Sequence, residues 1–398
     1  MASSKQEKNP RAINRKLLMI NRVLPPERGA TGRLLQELSA NLSEEGYDIT
    51  LLTTGESADA KRDTHGIEVV RVKGVQNPRS VFANLLISLR LFLRALFLPR
   101  PAVIITKTDP PFFVILGAWL ALLKRADHIH WSQDLYPDIL KALHYKLPAP
   151  LYRALDFLTS RALKSCSRVV AIGVCMKSAL QKKGVISSQI TVIPNWPSQL
   201  TTKKEQKATQ PEDMPQKFRV LYAGNMNAGH PYQTILEAAE LLNENDPDIE
   251  FLFVGDSPLM QDMAQERARR GLDNIRFLPF QPADKLKALL ESGDLHIVSL
   301  ADEALGCMVP SRIYDIFAVK RPCLFIGPED SEIAIMLEKH EAGLTIPQGR
   351  SEMLANAIRH LRDNGEDWNA LYQGAIQASK IYTPQRCFEL WQNLLKKV

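Results

Sequence analysis

The chain has 398 residues, 45% hydrophobic and 24% charged, an ordinary globular balance at a length that suits two cores better than one. It holds no low-complexity tract and no short repeat, and no run of about twenty uncharged apolar residues, which sets aside disordered, fibrous and membrane-spanning classes. Net charge is +6, but residues 1–200 carry 28 Lys and Arg against 15 Asp and Glu (+13) while 201–398 carry 22 against 29 (−7). A basic first half points to an anionic partner such as a membrane surface, a lipid phosphate or nucleic acid, unless its lysines serve only solubility. Five cysteines, Cys166, Cys175, Cys307, Cys323 and Cys387, include no CxxC pair and no His at metal spacing. They read as reduced thiols in a cytosol, with no metal site. The opening MASSKQEKNPRAINRK lacks an apolar h-region, so neither a secretory signal nor an N-terminal anchor is expected.

In chain order, KLLMINRV, DITLLTT, IEVVRV, AVIIT, HIHW, RVVAI and ITVIP read as buried strands. GRLLQELSANLSEEG, FFVILGAWLALLK and LYRALDFLTSRALKSC read as the helices between them. Residues 79–101 are strongly apolar yet carry Arg90 and Arg94 one turn apart. That rules out a span and leaves two readings, an in-plane membrane helix (79–98) or a helix of the core. The polar run 201–217 is the best linker. A second series follows, FRVLYAG, IEFLFVG, NIRFL, DLHIVSL and CLFIG, with TILEAAELLNEN and DKLKALLESG as helices. The expected class is α/β, two doubly wound parallel sheets whose carboxyl edges share a cleft.

The stretch 300–327 places a loop, a helix start and a buried strand in one run. Pro310 and Ser311 suit a helix opening, Ile313, Phe317 and Ala318 a core face, and Pro322 a stop before the strand Cys323 to Ile326. Free N–H groups at that opening, the charge of Arg312 and the acceptor Asp315 together suit a diphosphate with its sugar; a capped surface helix satisfies the same residues.

Taken in order, PPERGATGRLLQELSANLSEEGYDITLLTTG, HWSQDLYPD, VIPNW, YAGNMNAG, VPSRIYD and EAGLTIPQG resemble the family-4 glycosyltransferases of the GT-B fold, and most of all the branch that builds bacterial O-antigen, capsule and colanic acid. The match runs from Lys16 to about Leu361. It implies two facing Rossmann-like domains, 1–200 for the acceptor and 218–380 for the donor, with residues 381–398 as a helix returning to the first domain. It further implies retention of anomeric configuration, a nucleotide-sugar donor (UDP most of all) and a polyprenol-diphosphate-linked saccharide acceptor. The enzyme would work at the cytoplasmic face of an anionic plasma membrane, with no nucleic acid, metal or other cofactor.

The resemblance also assigns residues. Gly29, Ala30, Thr31 and Gly32 form a turn that lets backbone N–H groups approach phosphate. Gly224 and Asn225 open the donor domain, where the family carries basic residues; here Asn227 and His230 are left to donate, the latter with a pH dependence. Gly255 and Asp256 match a second glycine turn. Phe280 and Gln281 fall where the base edge is read, Phe280 being equally acceptable as core filler. Pro310, Ser311 and Arg312 fill the family's PSK element, and Asp315 replaces the ribose-binding glutamate. Cys307 stands at the first glutamate of the paired motif, leaving the sugar to the backbone of residues 305–308. Gln133 replaces the usual His, and Asp134 beside it orients or deprotonates the acceptor hydroxyl, or else caps the next helix. His128 and His130 read as packing residues. Catalysis is assigned to Asp134 and to Arg312, which with the helix starts at Gly32 and Ser311 stabilises the leaving diphosphate in a front-face transfer. The rival readings are a sugar-nucleotide 2-epimerase of the same fold and a non-catalytic partner subunit.

Overall fold

A computed structural model describes residues 16–27, 29–56, 58–74, 80–198 and 217–398. The expected linker 201–217 lies outside them except for Lys217. The first domain runs β1 (Lys16–Ile20), α1 (Ala30–Glu44), β2 (Asp48–Gly55), β3 (Asp59–Arg62), β4 (Glu68–Lys73), α2 (Val81–Leu96), β5 (Val103–Lys107), α3 (Phe113–Lys124), β6 (Asp127–Ser132), α4 (Ile139–Ala142), α5 (Ala149–Ser165), β7 (Arg168–Ala171), α6 (Val174–Lys182) and β8 (Ile190–Val192). The second runs β9 (Phe218–Ala223), α7 (Gln233–Asn243), β10 (Ile249–Val254), α8 (Pro258–Arg270), β11 (Ile275–Leu278), α9 (Ala283–Glu291), β12 (Leu295–Ser299), α10 (Arg312–Ala318), β13 (Cys323–Ile326), α11 (Glu332–His340), β14 (Gly343–Ile346), α12 (Ser351–Asp363) and α13 (Gly365–Ile381). The chain closes with α14 (Pro384–Leu395).

The first sheet has the order β3-β4-β2-β1-β5-β6-β7-β8, with only β3 antiparallel, and the second, all parallel, β11-β10-β9-β12-β13-β14. Both reverse direction beside their first strand, so the loops after β1 and β5, and after β9 and β12, splay apart and leave a crevice at the carboxyl edge. Continuous apolar strands such as VIITK and IEFLFV are buried along their whole length, as helices on both faces require.

The two domains share one apolar core, continuous from Leu17 through Trp131 to Phe317 and Trp391. Its centre is aromatic. Trp131 of β6 stacks on Trp196 at 5.7 Å and meets Trp391 of α14 edge-on at 4.8 Å, while Phe388 packs on Trp196 at 5.2 Å. The closing helix thus returns to the first domain, where Gln392 Nε2 also donates to Asn41 Oδ1. The segment after β8 is fixed from the other side by Arg33, which donates to the carbonyls of Trp196 and Pro197, and by Glu37, which accepts from Trp196 Nε1 at 2.6 Å.

Of the stretch 79–101, Arg79 lies outside the described residues and the rest is built around helix α2. It buries Ile87, Ser88, Leu91 and Ala95 against the sheet but leaves Phe82, Leu85, Leu89 and Leu93 open to solvent. Among the described residues no helix is long and apolar enough to cross a membrane.

Candidate active site

The cleft is floored from the first domain by the ends of β5 and β6. Asp134, two residues beyond β6, forms an isolated antiparallel bridge with Met308 of the second domain, and Leu135 N–H donates to the Cys307 carbonyl at 2.7 Å. Its own N–H is held by Thr108 Oγ1. The following helix begins only at Ile139 with Asp138 before it, so Asp134 caps nothing. Loss of water raises the Asp134 carboxyl to about 7, with the like charge of Asp109 adding and the Lys107 ammonium opposing. Asp109 is itself raised by burial and relieved by Arg22, whose Nε lies 2.6 Å from its Oδ1.

Lys107 is a site residue that sequence reasoning missed. It ends β5 fully buried, with Nζ 3.6 Å from the centre of the Trp131 ring and donating to the Thr31 carbonyl at 2.8 Å. Burial, then the Arg33 charge, pulls its pKa well below the usual lysine range. It ties the first turn of α1 to the floor beneath Asp134. Helix α1 starts at Ala30 after Gly29, which places Gly32 inside the helix and buried. A Cβ on Gly32 would lie 2.5 Å from the Val23 carbonyl oxygen, so this glycine serves the seating of the helix. Gly29 and Ala30 are exposed at the helix start, where amides lacking intrahelical partners suit an anion.

Gln133 corrects the expectation. It is buried and exchanges two hydrogen bonds with Asn195, 3.0 and 2.9 Å, so it joins the end of β6 to the VIPNW segment instead of meeting an acceptor. Gln133→Ala is expected to destabilise the fold by about 1–3 kcal/mol, the cost of leaving the buried Asn195 amide unpaired, while the KM for acceptor stays unchanged. Thermal unfolding alongside kinetics checks both halves. His128 and His130 are buried and share Thr106 Oγ1 at 2.8 and 2.9 Å. Both are held neutral by burial, with pKa values near 4 and 3.

On the facing side, Gly224, Gly255, Phe280 and the 300–308 loop follow β9, β10, β11 and β12, so all lie at one carboxyl edge. Arg312 opens the seven-residue helix α10. Its guanidinium lies 4.3 Å over the buried Tyr222 ring, and Nη2 donates to the Asn225 carbonyl at 3.0 Å. Gly224, at φ 129, lets the backbone turn there, with Arg312 Cζ only 3.6 Å from where a Cβ would stand. Arg312 is therefore positioned by a ring and a carbonyl, and Nη1 is buried with no hydrogen-bond partner. Pro310 precedes it, and Ser311 sits before the helix without capping it by its side chain.

Asn225 and Asp256 are exposed and joined, Asp256 N–H donating to Asn225 Oδ1 at 2.8 Å. Phe280 is 48% exposed, which overturns the core-filler alternative, and Gln281 donates to the Pro279 carbonyl. His230 is a second correction. It is buried, and burial together with Arg312 drives its pKa well below the usual imidazole range. Asn227 Oδ1 already accepts from Gly229 N–H and lies 2.8 Å from His230 Nδ1. Nδ1 must therefore carry the ring's one proton, and a neutral ring has none left for phosphate. The expected pH dependence at His230 falls with it. Exposed Asn227 remains.

Asp315 is the third. Its carboxylate accepts from Ser198 N–H at 2.6 Å and from Ser198 Oγ at 3.4 Å; the position the resemblance gives to a ribose contact serves the joint between the domains. The Cys307 carbonyl and amide are likewise taken, by Leu135 N–H and the Ala304 carbonyl, so of residues 305–308 less backbone is open to a sugar than expected. Glu332 of α11 adds a further cross-domain contact by accepting from Val174 N–H at the start of α6. Among the described residues no three His, Cys, Asp or Glu side chains converge as a metal ligand set.

Residues 29–196 match the glycosyl transferase 4-like domain and residues 217–364 the glycosyl transferases group 1 domain. The chain is similar to WcaI of Escherichia coli (strain K12), named for glycosyl transfer in colanic acid biosynthesis, at 25% identity over 351 residues, 81% of this chain and 86% of that one. WbjE of Pseudomonas aeruginosa, named as a glycosyltransferase, is 25% identical over 290 residues, 70% of each chain. Among solved structures, Anabaena Alr3699/HepE with UDP and glucose superposes with a TM-score of 0.72 at 17% identity, covering 96% of this chain and all of that one. With both domain matches spanning the two sheets and the cleft between them, the chain belongs to the GT-B glycosyltransferases of the family-4 type and is a glycosyl-transferring enzyme.

Proposed function

We propose that the enzyme moves a sugar from a UDP-sugar to a polyprenol-diphosphate-linked saccharide, with retention, in the assembly of a cell-surface polysaccharide. One observation carries the reading: the cleft sets an acidic group poised near neutrality, Asp134, bridged to Met308 of the second domain, on one side and a fixed cation, Arg312, laid on Tyr222, on the other. The names of WcaI and WbjE and the UDP held by Alr3699/HepE support the substrate classes. In the transfer, the bond from the anomeric carbon to the diphosphate oxygen breaks while the acceptor oxygen bonds to the same face. The acceptor proton passes to the departing phosphate. Arg312 and the amides at the start of α1 take the leaving charge, and ionised Asp134 accepts the hydrogen bond that aims the hydroxyl. A 2-epimerase would want a histidine in the cleft, whereas His128, His130 and His230 are buried and neutral.

The same reading places the enzyme on the cytoplasmic face of an anionic membrane. Helices α2, α3 and α5 lie side by side, and Phe82, Leu85, Phe97, Trp119, Leu122 and Leu123 are 58–81% exposed on α2 and α3 and at their ends. Patches of that kind mark a contact surface. Flotation with anionic vesicles at low and high salt is expected to carry the protein upward, with the electrostatic part, about 1 kcal/mol per basic residue, fading as salt rises. Phe82→Glu with Leu85→Glu should abolish it; protein that stays below with every vesicle counts against membrane docking. The activity itself is tested by NMR of the product formed from UDP-sugars and a lipid-diphosphate acceptor. An α product from an α donor upholds the proposal, an inverted linkage overturns retention, and an isomerised donor without transfer overturns the reaction class.

A further inference from the structure

Between α4 and the start of α5 the chain turns through His144 at φ 58 and encloses an open groove of about 490 Å³. Lys141, Lys146 and Arg153 line it together with Tyr145 and Tyr152, and no carboxylate does. Among the described ion pairs none uses any of these three cations. Lys141 is held 4.7 Å over the Tyr152 ring, and Tyr152 OH donates to Asp138 Oδ1 at 2.8 Å, so the wall is anchored from behind. Asp138 is also engaged by Lys183, which removes it as a partner for the groove's own cations.

The two ends of the groove differ. Its inner end follows α4, which packs against the 302–304 turn of the second domain, and Leu143 Cδ2 stands 3.9 Å from where a Cβ on Gly229 would be, beside Met308, the residue bridged to Asp134. Its outer end opens onto α5, where Leu151, Phe157 and Leu158 are exposed and α3 packs alongside with Trp119, Leu122 and Leu123. Cations at the neck, aromatic walls and an apolar ramp leading away describe a seat for an amphiphile with a small, multiply charged anionic head.

We propose that this groove holds the diphosphate of the lipid-linked acceptor, its first saccharide units pointing inward to Asp134 and its isoprenoid chain running out along α5 and α3. The assignment rests on the lipid-linked acceptor proposed above. Charge complementarity favours a diphosphate over a single phosphate, since three cations face one small volume. Neighbouring bilayer headgroups are the competing source of anionic oxygen.

The test is direct binding of farnesyl diphosphate in neutral detergent micelles, measured by calorimetry on the full chain and on the variant carrying Lys141→Gln, Lys146→Gln and Arg153→Gln. These side chains are exposed, and an unchanged melting temperature confirms the variant's fold. The expected result is wild-type binding that weakens tenfold or more in the variant, with farnesol binding neither protein measurably. Equal binding of farnesyl diphosphate to both proteins overturns the groove and leaves the acceptor reading standing. No binding to the wild type overturns groove and acceptor reading together. Loss of flotation on phosphatidylglycerol vesicles in the variant, with farnesyl diphosphate binding intact, assigns the cations to bilayer headgroups and overturns the proposal.

Discussion

Arg312→Ala is expected to weaken UDP binding and transfer by about 1.5–3 kcal/mol, the range for a charged hydrogen bond, which is roughly ten- to a hundredfold. The size follows from isolation. Where the resemblance implies basic residues after the first glycine of this domain, the chain has Met226 to His230, and the neutral His230 ring brings no charge. What remains is one guanidinium, laid on Tyr222 and tethered to the Asn225 carbonyl, with Nη1 unpartnered. Arg312→Lys should recover only part of the loss, because a lysine keeps the charge but neither lies flat on the ring nor presents two parallel donors. Calorimetric titration with UDP checks binding, and circular dichroism checks that the variant is folded. Wild-type affinity in a folded Arg312→Ala protein would remove Arg312 from the donor site.

Asp134→Asn is expected to lower turnover by at least tenfold, and up to about 10⁴-fold, with UDP binding nearly intact. In the wild type, turnover should rise with pH to a plateau, with a midpoint near the Asp134 value of about 7, because only the carboxylate accepts from the incoming hydroxyl. The variant's profile should be flat there. Stability moves the other way. The unfolded carboxyl releases its proton near 3.9 and the folded one near 7, so between those values the folded state holds the extra proton. Its contribution is therefore present at low pH and lost as pH rises through that window. Above it the ionised group weighs against folding. Asp134→Asn should accordingly melt higher than wild type at pH 8 and equally at pH 4, an exchange of stability for activity. A variant less stable at both values would show Asp134 to be a structural residue.

The strands were readable because parallel strands covered on both faces are unbroken apolar runs, and each of the twelve runs read from the sequence overlaps a strand of the structure. The polar edge strand β3, sequence DAKR, carries no such signal, and the four-residue β14, sequence GLTI, is too short to stand out; neither is among those runs. Arg312 and Asp134 are candidates to which sequence neighbours point, since a helix start and a strand end are local features. Gln133, Asp315 and Lys107 were misjudged or overlooked for the opposite reason. Their partners lie 62, 117 and 76 residues away, and no pattern within one element reports them. A lysine at the end of VIITK looks solvated until Trp131 and the Thr31 carbonyl are folded around it.

The bond from Ser198 to Asp315 couples two equilibria. A ribose hydroxyl that reaches Asp315 competes with the Ser198 amide and hydroxyl for its two oxygens, so such a nucleotide and the interdomain joint draw on the same carboxylate. By linkage the antagonism is reciprocal: whatever loosens the joint raises affinity for a ligand that needs Asp315, and by the same factor that ligand loosens the joint. A nucleotide that leaves Asp315 alone feels none of this. Amide exchange at Ser198 therefore acts as a reporter of how the donor sits, faster on binding when Asp315 is recruited and unchanged when it is not.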